Sequence, residues 1–314
     1  MPLVRLDLDW GNLAADVYFR PDFGALHARP DAIVGMERPD YRHIAAVRPV
    51  PGTSFYDLET PHGYGGPIAP TEATFSAGLA DWRQQQRDQG RICEFVRVHP
   101  FFRVEGVRSE FDHLRQDRLT VTVDLARPGD NRRKNYSKTT RNIVKRALDT
   151  VTIRTLAGDE WPLFRDLYHA GLDQNTAQRH YYFDDNYYRD LLAAPWCRVY
   201  AASDRGEAVA AASFLVSGAI AHYHLSGQTP AGRDCHATYA LLDHAFDRSA
   251  AEGAVYMHLG GGRGSDPADP LFQFKRKFSD LTLPFYIGGF IFDRELFSRL
   301  GGGRDNRFQS YRAE

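Results

Sequence analysis

A run of glycines followed by a lysine has the residue types best suited to chemistry in this sequence. Residues 254–259 are a short apolar run, too short for a buried helix, and they predict a central strand. Gly260, Gly261, Gly262 and Arg263 follow directly, and glycine there permits positive φ and lets a ligand come close to the backbone. Since open α/β sheets bind ligands at the carboxyl ends of their strands, we expect these four residues to bind substrate.

Lys275 lies further along the chain, between Phe274 and Arg276. Aromatic neighbours would remove water from its ammonium group, and desolvation lowers the pKa of a lysine. The pattern therefore makes Lys275 a candidate catalytic cation and Phe274 a candidate substrate contact. A tight turn followed by an ordinary solvated basic segment fits the same spacing.

Length and composition restrict the class of protein. The chain has 314 residues, which suggests about two domains, and 43% of them are hydrophobic, enough for a sizeable core. A formal net charge of −1 argues against a protein that coats nucleic acid, although local basic patches remain compatible with it. Cys93, Cys197 and Cys235 form no CxxC pair, so we predict neither a disulfide framework nor a zinc site.

Targeting signals are not evident. The first ten residues, MPLVRLDLDW, carry charges where a signal peptide has an apolar core. No stretch approaches the roughly 18 consecutive apolar residues of a membrane-spanning helix. We therefore expect a cytoplasmic protein.

The pattern of elements predicts a mixed α/β fold. In the first part of the chain, apolar spacing predicts a helix over residues 72–89 and strands over residues 93–98 and 119–126. The remainder alternates helices and strands, including two antiparallel strands, a loop, a long helix over residues 237–251 and the strand before the glycines. We place the first domain boundary after residue 126.

A basic segment follows that boundary, from Asn131 to Leu148. Lys134, Lys138, Arg141 and Lys145 recur at helical spacing and would share one face of a single helix. Such a face could contact phosphate or RNA. A solvated amphipathic helix with no ligand fits the pattern as well.

Histidines alternate with a tyrosine in one predicted strand. His222 and His224 would share a face, with Tyr223 pointing to the other side. A metal site needs a third ligand at a fixed distance, and the sequence identifies none, so we predict no metal. The nearby cluster at residues 181, 182, 187 and 188 is all tyrosine and is interpreted as packing rather than as a base-stacking surface.

Five motifs, taken in order, resemble a known group of enzymes. They are GGP at Gly65–Pro67, FVRVHP ending at Pro100, RNIVKRAL at Arg141–Leu148, LFRDLYHAGLDQNTAQRHYYF at Leu163–Phe183, and HLGGG with FKRKFS at His258–Gly262 and Phe274–Ser279. The chain resembles acyltransferases of the GCN5-related N-acetyltransferase (GNAT) fold, and within them the Fem group of peptidyl transferases.

The resemblance implies tandem GNAT-like domains, each a mixed, mostly antiparallel sheet flanked by helices. The first would cover residues 1–126, with 287–314 able to complete it, and the second residues 127–286. Members of the Fem group pass an amino acid from aminoacyl-tRNA to an amine, forming an amide bond. No tightly bound cofactor is implied, and the acceptor would be an amine-bearing small molecule or peptide.

Individual residues can be carried over from the family pattern. Lys275 matches a lysine proposed to stabilise the tetrahedral intermediate, a role that suits a cation in a dry cleft. His99 falls where the family has an aspartate proposed to take the proton of the amine, and histidine is a competent base near neutral pH, although a structural histidine before Pro100 fits equally. Tyr223 is a further candidate substrate contact.

Two departures from the family pattern keep the donor and acceptor open. Gln174 falls where members that use a nucleotide-sugar peptide have a phosphate-binding arginine, and glutamine cannot supply that charge. The usual acyl-CoA loop, Arg/Gln-x-x-Gly-x-Gly/Ala, is not found before the helix at residue 237. An acyl-CoA-dependent N-acyltransferase and a non-catalytic GNAT-fold binding module remain the alternatives, and the oligomeric state is open.

Overall fold

The computed structural model describes residues 2–127, 129–174, 178–304 and 307–312, and it divides the chain into two units. The first unit contains residues 1–119 and 283–314, and the second contains residues 120–282. The sequence placed the boundary after residue 126 and the return of the chain at 287. The boundary in the structure falls between residues 119 and 120, within one strand that runs from His113 to Asp124.

The strands of the described chain are numbered in sequence order. They are β1 (Ile33–Arg38), β2 (Tyr41–Pro49), β3 (Tyr56–Glu59), β4 (Arg91–Arg97), β5 (His113–Asp124), β6 (Thr152–Thr155), β7 (Cys197–Asp204), β8 (Glu207–Ser217), β9 (Ile220–Gln228), β10 (Tyr256–Gly261) and β11 (Thr282–Ile291). In the first unit the order is β1-β2-β3-β4-β11, and only β3 and β4 are parallel. In the second unit the order is β5-β10-β9-β8-β7-β6, and only β10 and β9 are parallel.

The helices are numbered in the same way. They are α1 (Trp10–Ala14), α2 (Pro21–Gly24), α3 (Glu72–Asp88), α4 (Gly129–Lys134), α5 (Lys138–Thr150), α6 (Trp161–Gln174), α7 (Asp185–Ala193), α8 (Pro230–Asp234), α9 (Ala237–Ala251), α10 (Pro270–Arg276) and α11 (Arg294–Arg299). The mixed α/β fold class predicted from the sequence is confirmed. No helix in the described residues is both long enough and apolar enough to cross a bilayer.

Helix α3 shows how closely local sequence determined an element of the first unit. Thr71 caps its first turn by accepting from the backbone N–H of Thr74, and the apolar residues Phe75, Leu79 and Trp82 are buried. The predicted helix over residues 72–89 therefore agrees with the structure to within one residue.

A buried polar network lies beneath that helix. Glu94 accepts from the indole N–H of Trp82 at 2.8 Å, and its other oxygen lies 2.7 Å from Nε2 of His43. The hydroxyl of Tyr41 lies 3.2 Å from Nδ1 of His43, so both ring nitrogens have a polar partner. These polar groups are fully paired, so they are compatible with the core.

The core of the second unit lies between its sheet and α9. Phe214, Leu242, Phe246 and Met257 are fully buried there, and α5 packs on the same helix. Helix α6 contacts β8 and β9. Cys93, Cys197 and Cys235 are free thiols.

Candidate functional site

An opening between two parallel strands of the second unit is the feature on which the site is built. Strands β9 and β10 pair from Ile220 and Tyr256 as far as His222 and His258. Beyond that pair, β9 continues to Gln228 against β8, and β10 continues against β5. The carboxyl ends of the two strands therefore bound an opening, where an extended ligand can reach the backbone.

A bulge in β9 lies at the start of this opening. The register between β8 and β9 shifts after the Phe214–Tyr223 pair. The hydroxyl of Ser213, which is fully buried, accepts from the backbone N–H of Leu225 at 3.1 Å and donates to the carbonyl of Leu225 at 3.4 Å. A bulge bends its strand, so this serine maintains the divergence of β9.

A second bulge lies in β10, at the predicted glycines. The register against β5 shifts between His258 and Gly260, and Gly260 has a φ of +75°. A Cβ atom at Gly262 would lie 2.5 Å from the carboxylate of Asp269. Glycine is required at both positions, for backbone conformation at the first and for space at the second.

The short helix α10 places Lys275 at the end of β10. Asp269 caps this helix by accepting from the backbone N–H groups of Leu271 and Phe272, both at 2.9 Å, and Pro270 occupies its first position. Helix α10 is not among the elements predicted from the sequence, although an aspartate followed by proline is a recognised start signal.

Lys275 itself is buried, with only 7% of its surface exposed. Its ammonium nitrogen donates to the carbonyl of Gly261 at 2.7 Å, so the cation is held at the glycine end of the opening. The alternative of a solvated basic segment is wrong for Lys275, while Lys277 nearby is exposed. Phe274 lies against the Tyr239 ring of α9, with ring centroids 5.1 Å apart.

Asp269 also connects the glycine loop to α10, since it accepts from the backbone N–H of Arg263 at 3.1 Å. Partial burial raises the pKa of Asp269, but hydrogen bonds from the backbone N–H groups of Phe272, Arg263, Leu271 and Gly264 outweigh it and lower the pKa below its usual value. The side chain of Arg263 is exposed.

We expect Asp269→Ala to lower the free energy of unfolding by about 1 kcal/mol near neutral pH, because it removes this cap. The folded-state pKa lies below the unfolded value of about 3.9, so the contribution is present above that pH and is lost as pH falls through the lowered pKa. Urea unfolding of both proteins at a series of pH values should show the difference narrowing in acid. Asp269→Asn keeps a cap without the charge, and it should lose less stability; an equal loss from both variants at every pH would contradict the argument.

His222, Tyr223 and His224 of β9 each contact a different partner. The rings of His222 and His258 meet edge to face with centroids 5.5 Å apart, and both are buried. Nε2 of His224 lies 2.7 Å from the hydroxyl of Tyr187 on α7, a contact that the sequence could not reveal. Tyr223 bonds instead to the hydroxyl of Ser226, and burial raises the pKa of Tyr223 to about 12.

Gln174 ends α6 and has an unexpected cationic neighbour. Its amide nitrogen donates to the carbonyls of Ala170 and Gln228, at 3.0 and 2.9 Å, while its oxygen accepts from the guanidinium of Arg233 at 2.6 Å. Glutamine itself carries no charge, as expected from the sequence, but Arg233 of α8 brings a guanidinium to Gln174 from another part of the chain. The described chain resumes at residue 178, so residues 175–177 of the motif at Leu163–Phe183 lie outside the described residues.

His99 lies in the first unit and has no exposed surface. Its Nδ1 accepts from the backbone N–H of Phe101 at 3.3 Å, and its Nε2 lies 3.4 Å from a carboxylate oxygen of Asp16. The rings of Tyr18, Phe19, Tyr64 and Phe101 surround it. The imidazole is thus held firmly in a largely aromatic setting.

The basic segment is not the single helix that we predicted. It forms α4, which ends at Lys134, and α5, which begins at Lys138 after Ser137 caps it. Between the two helices, the ring of Tyr136 is buried against Phe278. Lys138, Arg141 and Lys145 share α5 and are exposed, as is Lys134 on α4.

Two other basic residues of the segment face inward. Arg132 and Arg133 pair with Asp243 and Asp247 of α9, at nitrogen-to-oxygen distances of 2.6 to 3.7 Å. The carboxylate of Asp243 is fully buried between the two guanidinium groups. These arginines therefore attach α4 to α9 and contribute little to any anion-binding surface.

Comparison with known proteins agrees with this geometry. Residues 130–276 match the family model of the acetyltransferase (GNAT) domain. The structure is similar to the crystal structure of FemX, with a TM-score of 0.74 and 11% identity, over 90% of this chain and 94% of that chain. It is also similar to L-PGS from Bacillus licheniformis, with a TM-score of 0.56 and 13% identity, over 88% of each chain.

A third similar structure is the C-terminal domain of a protein described as a lysylphosphatidylglycerol synthetase from Agrobacterium fabrum. It has a TM-score of 0.55 and 14% identity over 86% of this chain and 87% of that chain. No curated protein sequence matches the chain significantly. Residues 130–276, most of the second unit, thus match the GNAT acetyltransferase domain model, and the fold of the chain is similar to that of FemX.

Proposed function

We propose that this chain, with its GNAT domain and its FemX-like fold, transfers an aminoacyl group from aminoacyl-tRNA to an amine. The observation that carries the proposal is the opening between β9 and β10, which ends at Gly261 with the buried ammonium of Lys275 against its carbonyl. In this proposal the opening would give an extended donor access to the backbone, and the carbonyl oxygen of the donor would approach the ammonium.

The reaction would proceed by direct attack of the amine on the donor ester. A carbon–nitrogen bond forms, the carbonyl oxygen becomes an oxyanion, and the ester carbon–oxygen bond then breaks to release the tRNA hydroxyl. Lys275 and the backbone N–H groups of residues 260–262 would stabilise the oxyanion, and Gln174, Tyr223, Arg263 and Phe274 stay proposed substrate contacts. A fixed cation in a site shielded from water is among the larger contributions to such a reaction.

A group must also take the proton that the amine loses. His99 remains our predicted base, but its complete burial means that the amine would have to reach an enclosed ring. The pair formed by His224 and Tyr187 is a second candidate, because it belongs to the same unit as Lys275 and His224 is half-buried on β9. Its hydrogen bond could pass a proton onward.

Two observations favour tRNA over acyl-CoA as the donor. Exposed cations on α5, with Lys134 on α4, form a surface that suits a phosphate backbone. The residues before α9 also lack the Arg/Gln-x-x-Gly-x-Gly/Ala pattern of an acyl-CoA loop. Acyl-CoA-dependent N-acyl transfer and a non-catalytic binding module are the competing functions.

The donor can be tested by binding. We expect the full chain to bind aminoacyl-tRNA with an affinity that falls as salt rises, with a logarithmic slope that reports the number of phosphate contacts. Lys138→Gln with Lys145→Gln should reduce that slope by roughly 1.5 to 2. Arg141 is left in place because it donates to the carbonyl of Lys134 across the helix break.

The control is Arg299→Gln, which removes one exposed charge from α11 in the first unit and should leave the slope unchanged. Binding that is insensitive to salt, or absent, would exclude tRNA as the donor. Stabilisation by CoA thioesters in a thermal-shift assay would then favour N-acyl transfer from acyl-CoA, and a response to neither would favour the binding module.

A further inference from the structure

A cleft of about 310 Å³ opens in the first unit, between α1 and the hairpin formed by β1 and β2. Its volume is at the lower end of the range for small-molecule sites. The residues that line it combine two cations, one anion and three apolar side chains: Trp10, Ala14, Glu37, Arg38, Pro39 and Arg42. Nothing in the proposed transfer reaction uses this cleft.

The two arginines are only weakly engaged by carboxylates. Arg42 pairs with Glu37 and Arg38 pairs with Asp81, each at 2.5 Å. The side chains of Glu37 and Asp81 are 69% and 57% exposed. Ion pairs with such exposed partners contribute little to stability, so a ligand anion can compete for the guanidinium groups.

The hydrogen-bonding capacity of Arg42 is not satisfied by the protein. Among the described residues, its buried Nε makes no hydrogen bond, while its terminal nitrogen Nη1 pairs with Glu37. A guanidinium carries five N–H donors, and a buried donor without a partner costs free energy. A small shift of Arg42 towards an anion in the cleft would recover that energy.

The opposite wall is apolar and fixed in orientation. The indole N–H of Trp10 donates to the carbonyl of Pro39 at 2.8 Å, which joins α1 to the turn of the hairpin. The indole ring is therefore held in place, and an aromatic face beside arginines suits a flat ligand with a charged end.

We propose that this cleft binds a small organic anion, with its phosphate or carboxylate on Arg38 and Arg42 and its ring against Trp10. Phosphate and carboxylate share the planar or forked oxygen geometry that guanidinium recognises. The site is independent of the transfer reaction, because every lining residue belongs to the first unit and none is assigned to the proposed chemistry.

The test is calorimetric titration of the full chain with phenyl phosphate, benzoate, inorganic phosphate and benzyl alcohol. We expect phenyl phosphate or benzoate to bind at least about tenfold more tightly than inorganic phosphate or the uncharged alcohol, because only the first two offer both groups. Which of the two binds better identifies the anionic group. Equal binding of inorganic phosphate and phenyl phosphate would reveal an adventitious ion only and would overturn the proposal, as would the absence of binding.

Substitutions in the cleft test whether the anion binds there rather than elsewhere on the surface. Arg42→Gln should weaken binding by about tenfold or more, and Trp10→Leu should reduce the advantage of phenyl phosphate over phosphate. Glu37→Gln removes the competing carboxylate and should tighten binding, which loss of folding cannot mimic. Arg87→Gln, at an exposed position on α3, is the control; equal weakening by this variant, or no gain from Glu37→Gln, would overturn the proposal.

Discussion

Replacing Lys275 by methionine is expected to reduce the turnover of acyl transfer by about 100- to 1,000-fold, the usual cost of losing one group that stabilises an oxyanion. Methionine has a similar length and is tolerated in cores, so the fold should persist. The loss should fall on kcat more than on KM, because the charge on the carbonyl oxygen develops only in the transition state.

The structure makes this prediction specific. Only 7% of Lys275 is exposed, and its ammonium lies 2.7 Å from the carbonyl oxygen of Gly261, so the cation occupies one fixed position. A fixed, poorly solvated charge acts more strongly on a nearby oxyanion than one in water. The loss of the hydrogen bond to Gly261 adds a modest structural cost of about 1 kcal/mol.

Lys277→Met is the matched control, since it makes the same change two residues later on an exposed lysine that contacts Tyr239. Steady-state rates should be measured with the donor identified by binding, and circular dichroism should confirm that both variants fold. If Lys275→Met retains the parent turnover, Lys275 has no part in the chemistry.

Gly227→Ala is expected to destabilise the protein by about 3 kcal/mol or more, and it is the largest effect on stability that we predict. A Cβ atom at this position would lie 2.1 Å from the carbonyl oxygen of Leu167 and 2.4 Å from the Cα atom of Tyr168. Both are backbone atoms of α6, so no side chain can move to make room. The helix would have to shift away from β9.

That shift would also disturb the site. Gly171 and Gly227 approach each other across the same contact, where a Cβ at Gly171 would lie 2.9 Å from the Cα of Gly227. Gln174, at the end of α6, would lose its position beside Gln228. Gly158→Ala is the control, because a Cβ there meets nothing within 4 Å; unfolding midpoints in urea that are equal for the two variants would refute the packing argument.

Much of the fold could be read from local sequence. Helix α9 was predicted with the bounds that the structure shows, because apolar periodicity and flanking glycine are recorded in neighbouring residues. The strand predicted over residues 254–259 lies two residues later, at Tyr256–Gly261, and includes the first two glycines. The break between α4 and α5, at Tyr136, was not predicted. The ring of Tyr136 packs on Phe278, which is distant in sequence, so the residues next to Tyr136 do not record that contact.

The sequence by itself determined that a strand would end in glycines and that a lysine would follow at a short distance. It also allowed a positive φ at Gly260, because glycine adopts that conformation more easily than other residues do. These features depend on the conformational preferences of single residues and short segments, which need no knowledge of the rest of the chain.

The tertiary structure decided how that lysine is used and what surrounds it. Three contacts join residues that are distant in sequence. Lys275 bonds to Gly261, Ser213 of β8 bonds to Leu225 at the bulge of β9, and Arg233 bonds to Gln174. Such contacts arise when apolar faces are buried together, and the final packing fixes which polar groups meet. Spacing along the chain therefore could not reveal them.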